Sequence, residues 1–390
     1  MRLAVLGGCM LGLATGWNIS NTGAVAEPLA GAYGVGLATV GLFTTALFVA
    51  HLVMQIPGGR ASDRFGPRRM GLVGLSLIAA ANAVALAASD PGLAMGARAL
   101  TGLGTGLTFV AGFDYVRAAG GSPAAQGLYG GVAVAGGGLA LAAVPQVESW
   151  VGWRAPFATA LVVAGAALIA LAAGPADARR RVYMHEDSVS SRGIFRDVRL
   201  YRLAATFAAS FGLSVVIGNW VVTLLVRAGE SKGTAGAIGA LTLLLGVVSR
   251  PLGGWILRRR PDLMHAIVGA SLAAGAAGTL LLAAAEPLPL AVVGAAAVGL
   301  AAGIPFAPTF TGAAKARPEA PATSVGFVNC AAALVIVVGT PLLGLAFSLT
   351  EDGRIGFVIV AALWAAVLLV LPSRRELGVA PTAAPESRGG

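Results

Sequence analysis

The sequence predicts an all-α integral membrane protein with twelve transmembrane helices in two pseudo-symmetric six-helix bundles, and three observations predict it. The 390 residues are 57% hydrophobic and only 11% charged, with a mean hydropathy of +0.82. A soluble domain carries about 25% charged residues. Apolar runs of bilayer-crossing length recur along the whole chain, since about 20 residues at a rise of about 1.5 Å span the hydrocarbon core. The chain also repeats at half its length. Gln55-Ile56-Pro57-Gly58-Gly59-Arg60 has a counterpart in Arg250-Pro251-Leu252-Gly253-Gly254-Trp255, and the paired glycines superpose with an offset of 195. The runs are continuous rather than alternating, which excludes a β-barrel. Two parallel six-helix halves form a recurrent transporter plan, with the substrate site between them near mid-membrane.

Taken in order, the runs predict helices at 3–25, 35–57, 70–88, 93–116, 125–145 and 155–174, then 203–226, 234–256, 264–284, 288–312, 322–347 and 354–372. The first run follows only Arg2, is too long for a signal peptide and has no clear cleavage site, so it reads as the first spanning helix. Gly- and Ala-rich interiors, such as Gly136-Gly137-Gly138, suit close helix packing in lipid. The chain divides into an N-terminal bundle (1–174), a linker (175–202), a C-terminal bundle (203–372) and a tail (373–390). The linker carries Arg179-Arg180-Arg181 and places Ile194, Phe195 and Val198 at helical spacing, which predicts an interfacial helix around 193–201. The Pro/Ala/Ser/Gly-rich tail from Leu377 predicts disorder.

The net charge of +10 is topological. Of the 27 cations, Arg154, Arg227, Lys232 and Arg354 fall outside and Arg98 and Arg250 fall within helices; all the rest lie on one side of the membrane. That bias makes the richer side cytoplasmic, with both termini there. A nucleic-acid partner is rejected. Arginine far outnumbers lysine, and Ala and Gly abound, which suggests a bacterial inner membrane. Cys9 and Cys330 both lie in apolar runs, so neither a disulfide framework nor a metal site is indicated. No phosphate-binding loop or nucleophile–base constellation appears, so no cofactor, ATP-driven pump or enzyme is expected.

The most charged punctuation is the stretch 58–69, read as a glycine-rich turn between the second and third helices. Its residues Gly59, Asp63, Arg64, Gly66 and Arg68 match the pattern G-x-L-A-D-R-x-G-R-R, with Ala61 at the Leu position and Pro67 at the first Arg position. In helix four, Arg98-Ala99-Leu100-Thr101-Gly102-Leu103-Gly104 matches R-x-x-x-G-x-G, and Trp153-Arg154-Ala155-Pro156-Phe157 opens helix six. On these motifs the chain resembles the major facilitator superfamily of secondary transporters. The resemblance implies that Asp63, Arg64, Arg68 and an acid in helix four, Asp114, pair as a gate that latches the outward-facing state. It also implies that Arg98 takes part in proton coupling, against a structural role bonding neighbouring carbonyls. Independently of the family, carboxylates and arginines suit the ends of neighbouring helices.

Ionisable and polar groups inside spans are the binding candidates. Of 17 acids only Asp114 lies inside a span, near its end. Histidine as a residue type titrates near physiological pH, and His51, a histidine inside a span, shares a helix face with Gln55 four residues on. By the repeat, Gln55 corresponds to Arg250, a pair resembling the nitrate/nitrite branch with one of its two arginines replaced. Arg250 suits an oxyanion or carboxylate; its alternative is snorkelling or helix capping. Asn18 and Asn21 in helix one, Asn219 and Trp220 in helix seven and Asn329 in helix eleven are cavity-lining candidates, against interhelical hydrogen bonding. Phe306 and Thr309 in helix ten rank lower. The reading is a monomeric secondary transporter of a small anionic solute, working by alternating access with the proton as candidate coupling ion. The alternatives are drug efflux by proton antiport, although the G-x-x-x-G-P signature is absent from helix five, and a transport-inactive sensor or scaffold.

Overall fold

In the structure, a computed structural model, residues 2–176, 191–349 and 352–379 are described, and among them every regular element is helical. In lipid only a helix or a closed barrel satisfies its own backbone. The N-terminal half comprises α1 (Arg2–Ser20), α2 (Leu37–Phe65), α3 (Pro67–Ala87), α4 (Pro91–Ala118), α5 (Pro123–Val151) and α6 (Ala155–Ala172). In the C-terminal half, α7 runs over Val198–Phe207 and Ser214–Arg227, joined by a π turn at Ala208–Leu213. It is followed by α8 (Lys232–Arg259), α9 (Met264–Ala284), α10 (Leu288–Gly303 continued by Phe306–Ala316), α11 (Pro321–Leu349) and α12 (Arg354–Ala366). Nine stretches among the described residues are long and apolar enough to cross a membrane, and one of them, Pro123–Ala172, contains both α5 and α6. The other two helices are α4, which carries Arg98, Asp114 and Arg117, and the shorter α12.

Starts are set by local chemistry. Asp90 accepts from the Gly92 and Leu93 amides ahead of Pro91, and Ser122 accepts from the Ala125 amide ahead of Pro123. Each places an acceptor at the cap and a proline in the first turn, where its missing N–H costs nothing. The halves repeat their packing. A Cβ at Gly74 of α3 would lie 3.1 Å from the Gly104 oxygen of α4, and one at Gly278 of α9 would lie 2.7 Å from the Gly294 oxygen of α10. Both crossings therefore depend on small residues.

Four expectations are corrected. The first helix does not run to residue 25: α1 ends at Ser20, and a 3-10 turn (Gly23–Val25) leads into a second helix, Ala26–Tyr33. The stretch 58–69 is not as a whole a turn. Helix α2 continues through it to Phe65, and the reversal falls on Gly66 alone, at φ 90°. Hydropathy locates where a helix leaves the lipid, and charged residues continue that helix into water. The linker does not form a separate helix over 193–201; after Ser191–Ile194 the chain turns, Asp197 caps α7, and α7 starts at Val198. The run Arg179-Arg180-Arg181 lies outside the described residues. Lastly, residues 371–379 dock on the C-terminal half. Leu377 is fully buried, the Glu376 carboxylate faces Arg202, and the Lys315 ammonium donates to the Gly378 carbonyl. One buried leucine anchors the start of a segment whose composition suggested disorder; its remainder, 380–390, lies outside the described residues.

The halves meet along α2 with α11 and α5 with α8. The described hydrogen bonds that cross between them join Asp63 to Ala322 and Thr323, Gln126 to Thr311, and Arg250 to Gly130. All engage the portions of these helices nearest the α2–α3 turn, hereafter the basic end.

Candidate functional site

At the basic end, the α2–α3 turn reaches the opposite half. The first amides of a helix have no intrahelical partner, and the dipole favours an anion there. Asp63 supplies it to α11. Its carboxylate accepts from the Ala322 amide at 2.9 Å, the Thr323 amide at 2.8 Å and the Thr323 hydroxyl at 2.5 Å. The approach requires Gly59, where a Cβ would stand 2.5 Å from Thr323 Cα and 2.6 Å from the Ala322 oxygen.

The arginines of the turn have other tasks. Arg68 donates to the Leu171 and Ala172 carbonyls at the end of α6, a cation on a helix C-terminus. Arg64 and Arg69 flank the Phe65 ring. Asp114 pairs with Arg117, one turn on in α4, and accepts from Ser62 of α2. The expected four-residue cluster is thus distributed: Asp63 crosses to the other half, Arg68 braces its own half, and the described ion-pair partner of Asp114 is Arg117. Spacing in one chain could show that charges gather at this end, but not which helix terminus each one meets.

Further into the molecule lies an aromatic layer of which the sequence pointed only to Phe306. Phe109, Phe113 and Tyr129 of the N-terminal half pack on Phe207, Phe306 and Phe310 of the C-terminal half, all buried. Phe113 and Phe310 have ring centroids 5.1 Å apart, and Phe109 and Phe310 6.1 Å. The signal was present as three i,i+4 phenylalanine pairs, Phe109/Phe113, Phe207/Phe211 and Phe306/Phe310, each placing two rings on one helix face.

Arg250 and His51 border this layer. The buried Arg250 guanidinium donates to the Gly130 carbonyl of α5 at 2.8 Å, across the seam between halves, and lies between the Phe211 and Phe306 rings at 4.5 and 4.7 Å. The π turn of α7 contains Phe211. His51 Nδ1 lies 3.1 Å from the Thr105 hydroxyl, and its ring is 6.1 Å from that of Phe109. Gln55 donates to the His51 carbonyl, leaving its own Oε1 without a partner. A chain of rings, Phe306, Phe310 and Phe109, thus connects Arg250 to His51.

The asparagines separate. Asn18 and Asn21 are fully buried within the N-terminal bundle, not in a wall between halves. Asn18 accepts from Asn82 on its side-chain oxygen and from Arg98 on its backbone oxygen, and Asn21 donates to the Pro156 carbonyl. Arg98 therefore bonds the carbonyl end of α1 through Nη2. Asn219, in contrast, is exposed and donates to the Thr340 hydroxyl, while the Trp220 indole donates to the Thr340 carbonyl. Asn329 is buried, 4% exposed. A cleft of about 270 Å³ at the basic end is lined by Arg117, Gly121 and Gln126 from one half and Thr311 and Lys315 from the other. Among the described residues, no group of three or more His, Cys, Asp or Glu side chains is placed to hold a metal ion.

Comparison with known proteins gives a concordant family. A family model described as Major Facilitator Superfamily matches residues 6–340. An uncharacterized MFS-type transporter of Mycobacterium tuberculosis (strain ATCC 25618 / H37Rv) is 37% identical over 73 residues, a match spanning 19% of this chain and only 13% of that protein. Among solved structures, the E. coli fucose:proton symporter FucP superposes with a TM-score of 0.73 at 15% identity, covering 96% of this chain and 98% of that one. The human organic anion transporter MFSD10 (TETRAN) gives 0.73 at 18% identity, covering 95% and 98%. The proton:xylose symporter XylE gives 0.71 at 13%, covering 94% of each chain. At such identities the likeness is one of fold.

Proposed function

The chain belongs to the major facilitator superfamily, and from that premise we propose that it is a secondary active transporter of a small anionic solute, working by alternating access in a bacterial inner membrane. The basic end is the cytoplasmic side, both termini lie there, and the conformation is outward-facing, closed by the bonds of Asp63 to α11. The observation that carries the anionic reading is Arg250, a buried cation at the seam between halves that, among the described residues, bonds the opposite half through the Gly130 carbonyl. Guanidinium matches a carboxylate or oxyanion in bidentate geometry. An anion arriving from the open side would compete for Arg250 against Gly130 and so act on a bond that joins the halves. Coupling a solute to that seam gives it differential affinity for the two states, which population shift requires. His51 and Gln55 border the same layer, Asn219, Trp220 and Asn329 contribute from the C-terminal half, and the proton is the candidate coupling ion through His51 or Arg98.

The phenylalanines around Arg250 favour a second reading, efflux of drugs or other hydrophobic compounds by proton antiport. Flux in reconstituted vesicles separates the two, using a panel of inorganic and organic anions with and without a pH gradient. Anion flux that Arg250→Gln abolishes in a correctly inserted protein supports the first reading. Anion flux indifferent to Arg250, or flux of apolar compounds alone, refutes it.

A further inference from the structure

At the break in α1, four polar atoms are buried without partners. Arg98 is fully buried; its Nη2 donates to the Asn18 carbonyl at 2.7 Å and the Thr22 hydroxyl at 3.4 Å, but Nε and Nη1 have no partner. Asn82 donates from its amide nitrogen to Asn18 Oδ1 and to the Ile78 carbonyl, and its own Oδ1 has none. Asn21 donates to the Pro156 carbonyl, and its Oδ1 likewise has none. These atoms belong to one node: Arg98 and Asn82 both bond Asn18, and Asn21 follows Asn18 by about one helical turn. Flipping the Asn82 amide would not relieve the deficit, because its oxygen would then face two acceptors. Buried polar groups that lack protein partners are met by ordered water.

The unmatched groups are complementary in kind. Nε and Nη1 offer N–H donors on two different edges of the guanidinium, and the two amide oxygens are acceptors. Water accepts from the first and donates to the second. A monatomic anion would accept from Arg98 but leave both oxygens unpaired beside a negative charge. The cation is also already balanced in part, because the end of α1 that it bonds carries partial negative charge.

We propose that Arg98, Asn21, Asn82 and the α1 break form an internal water-binding site, in which ordered water bridges the Arg98 guanidinium to the two asparagine oxygens. The water ties α1 to α3 and α4 at the point where α1 stops being helical. It lies inside the N-terminal bundle, apart from the Arg250 region, and does not depend on what is transported. The test is a crystal structure of the full chain grown in bromide-containing medium, at a resolution that shows ordered solvent. The expected result is a solvent peak without bromide anomalous signal, within hydrogen-bonding distance of Arg98 Nε or Nη1 and of at least one of the two Oδ1 atoms. An anomalous peak at that place makes it an anion site and overturns the proposal. So does a dry node in which Arg98 bonds Asn21 or Asn82 directly. In Arg98→Met the peak should be lost, and its persistence unchanged would also overturn the assignment; should that variant not fold, the wild-type map decides alone.

Discussion

Replacing Asp63 by Ala removes three hydrogen bonds that exist only while the halves are closed at the basic end. A bond to a charged group contributes about 1.5–3 kcal/mol, and loss of a helix cap costs about 0.5–2 kcal/mol. These are not additive, because water replaces the carboxylate on the α11 amides once the end opens. A net loss of about 2–4 kcal/mol follows, and at about 1.4 kcal/mol per tenfold this shifts the equilibrium toward the open basic end by about 30- to 700-fold. Spin labels at Arg69 on the N-terminal half and Pro318 on the C-terminal half, both exposed, report the separation. Double electron–electron resonance on the protein in lipid nanodiscs should show Asp63→Ala moved to a longer distance, with Asp63→Asn intermediate because its amide oxygen still accepts. An unchanged distribution in an inserted Asp63→Ala protein would refute the capping argument.

Other substitutions probe the remaining contacts. Gly59→Ala keeps every charge but sets a Cβ into Thr323 and Ala322, so the same labels should again report opening; a distribution like wild type would mean that the helices relax at no cost. Arg250→Lys retains the cation without the planar fork, and should lower anion flux at least tenfold while leaving insertion intact, measured in proteoliposomes. Asp197 caps α7, and the Arg199 guanidinium bonded to it holds its carboxyl below the usual carboxylate range. A depressed folded-state pKa contributes stability above the unfolded value, about 3.9, that is lost as pH falls through the folded one. Asp197→Ala should therefore lower thermal stability at pH 7 by about 0.5–2 kcal/mol, with the difference from wild type shrinking below pH 4; a pH-independent difference would point to packing instead.

The all-helical membrane fold and its family were legible because hydropathy and a local motif are properties of the chain along one dimension. What the sequence hid was partner choice across the bundle. Asp63 and Asp114 are alike as acids near one membrane face, yet one caps a helix 259 residues away and the other pairs with a neighbour three residues on. Asn21 and Asn219 appeared equivalent in helices related by the repeat, yet one is sealed among α1 and α6 while the other is exposed. The repeat preserves backbone architecture, and side-chain environment departs from it wherever a helix breaks. Helix α1 breaks by ending at Ser20, with Arg98 on its last carbonyls, whereas α7 bulges at Ala208–Leu213 and sets Phe211 against Arg250. Both irregularities are marked by arginines buried in a bilayer, where an uncompensated cation is costly. A buried arginine can therefore be read as a pointer to irregular backbone or an aromatic face before it is read as a ligand site. By that criterion Arg98 is held through Nη2 by the carbonyl end of α1, with Nε and Nη1 left to the water site. Arg250, bonded to a single carbonyl of the opposite half, retains donor capacity for a ligand.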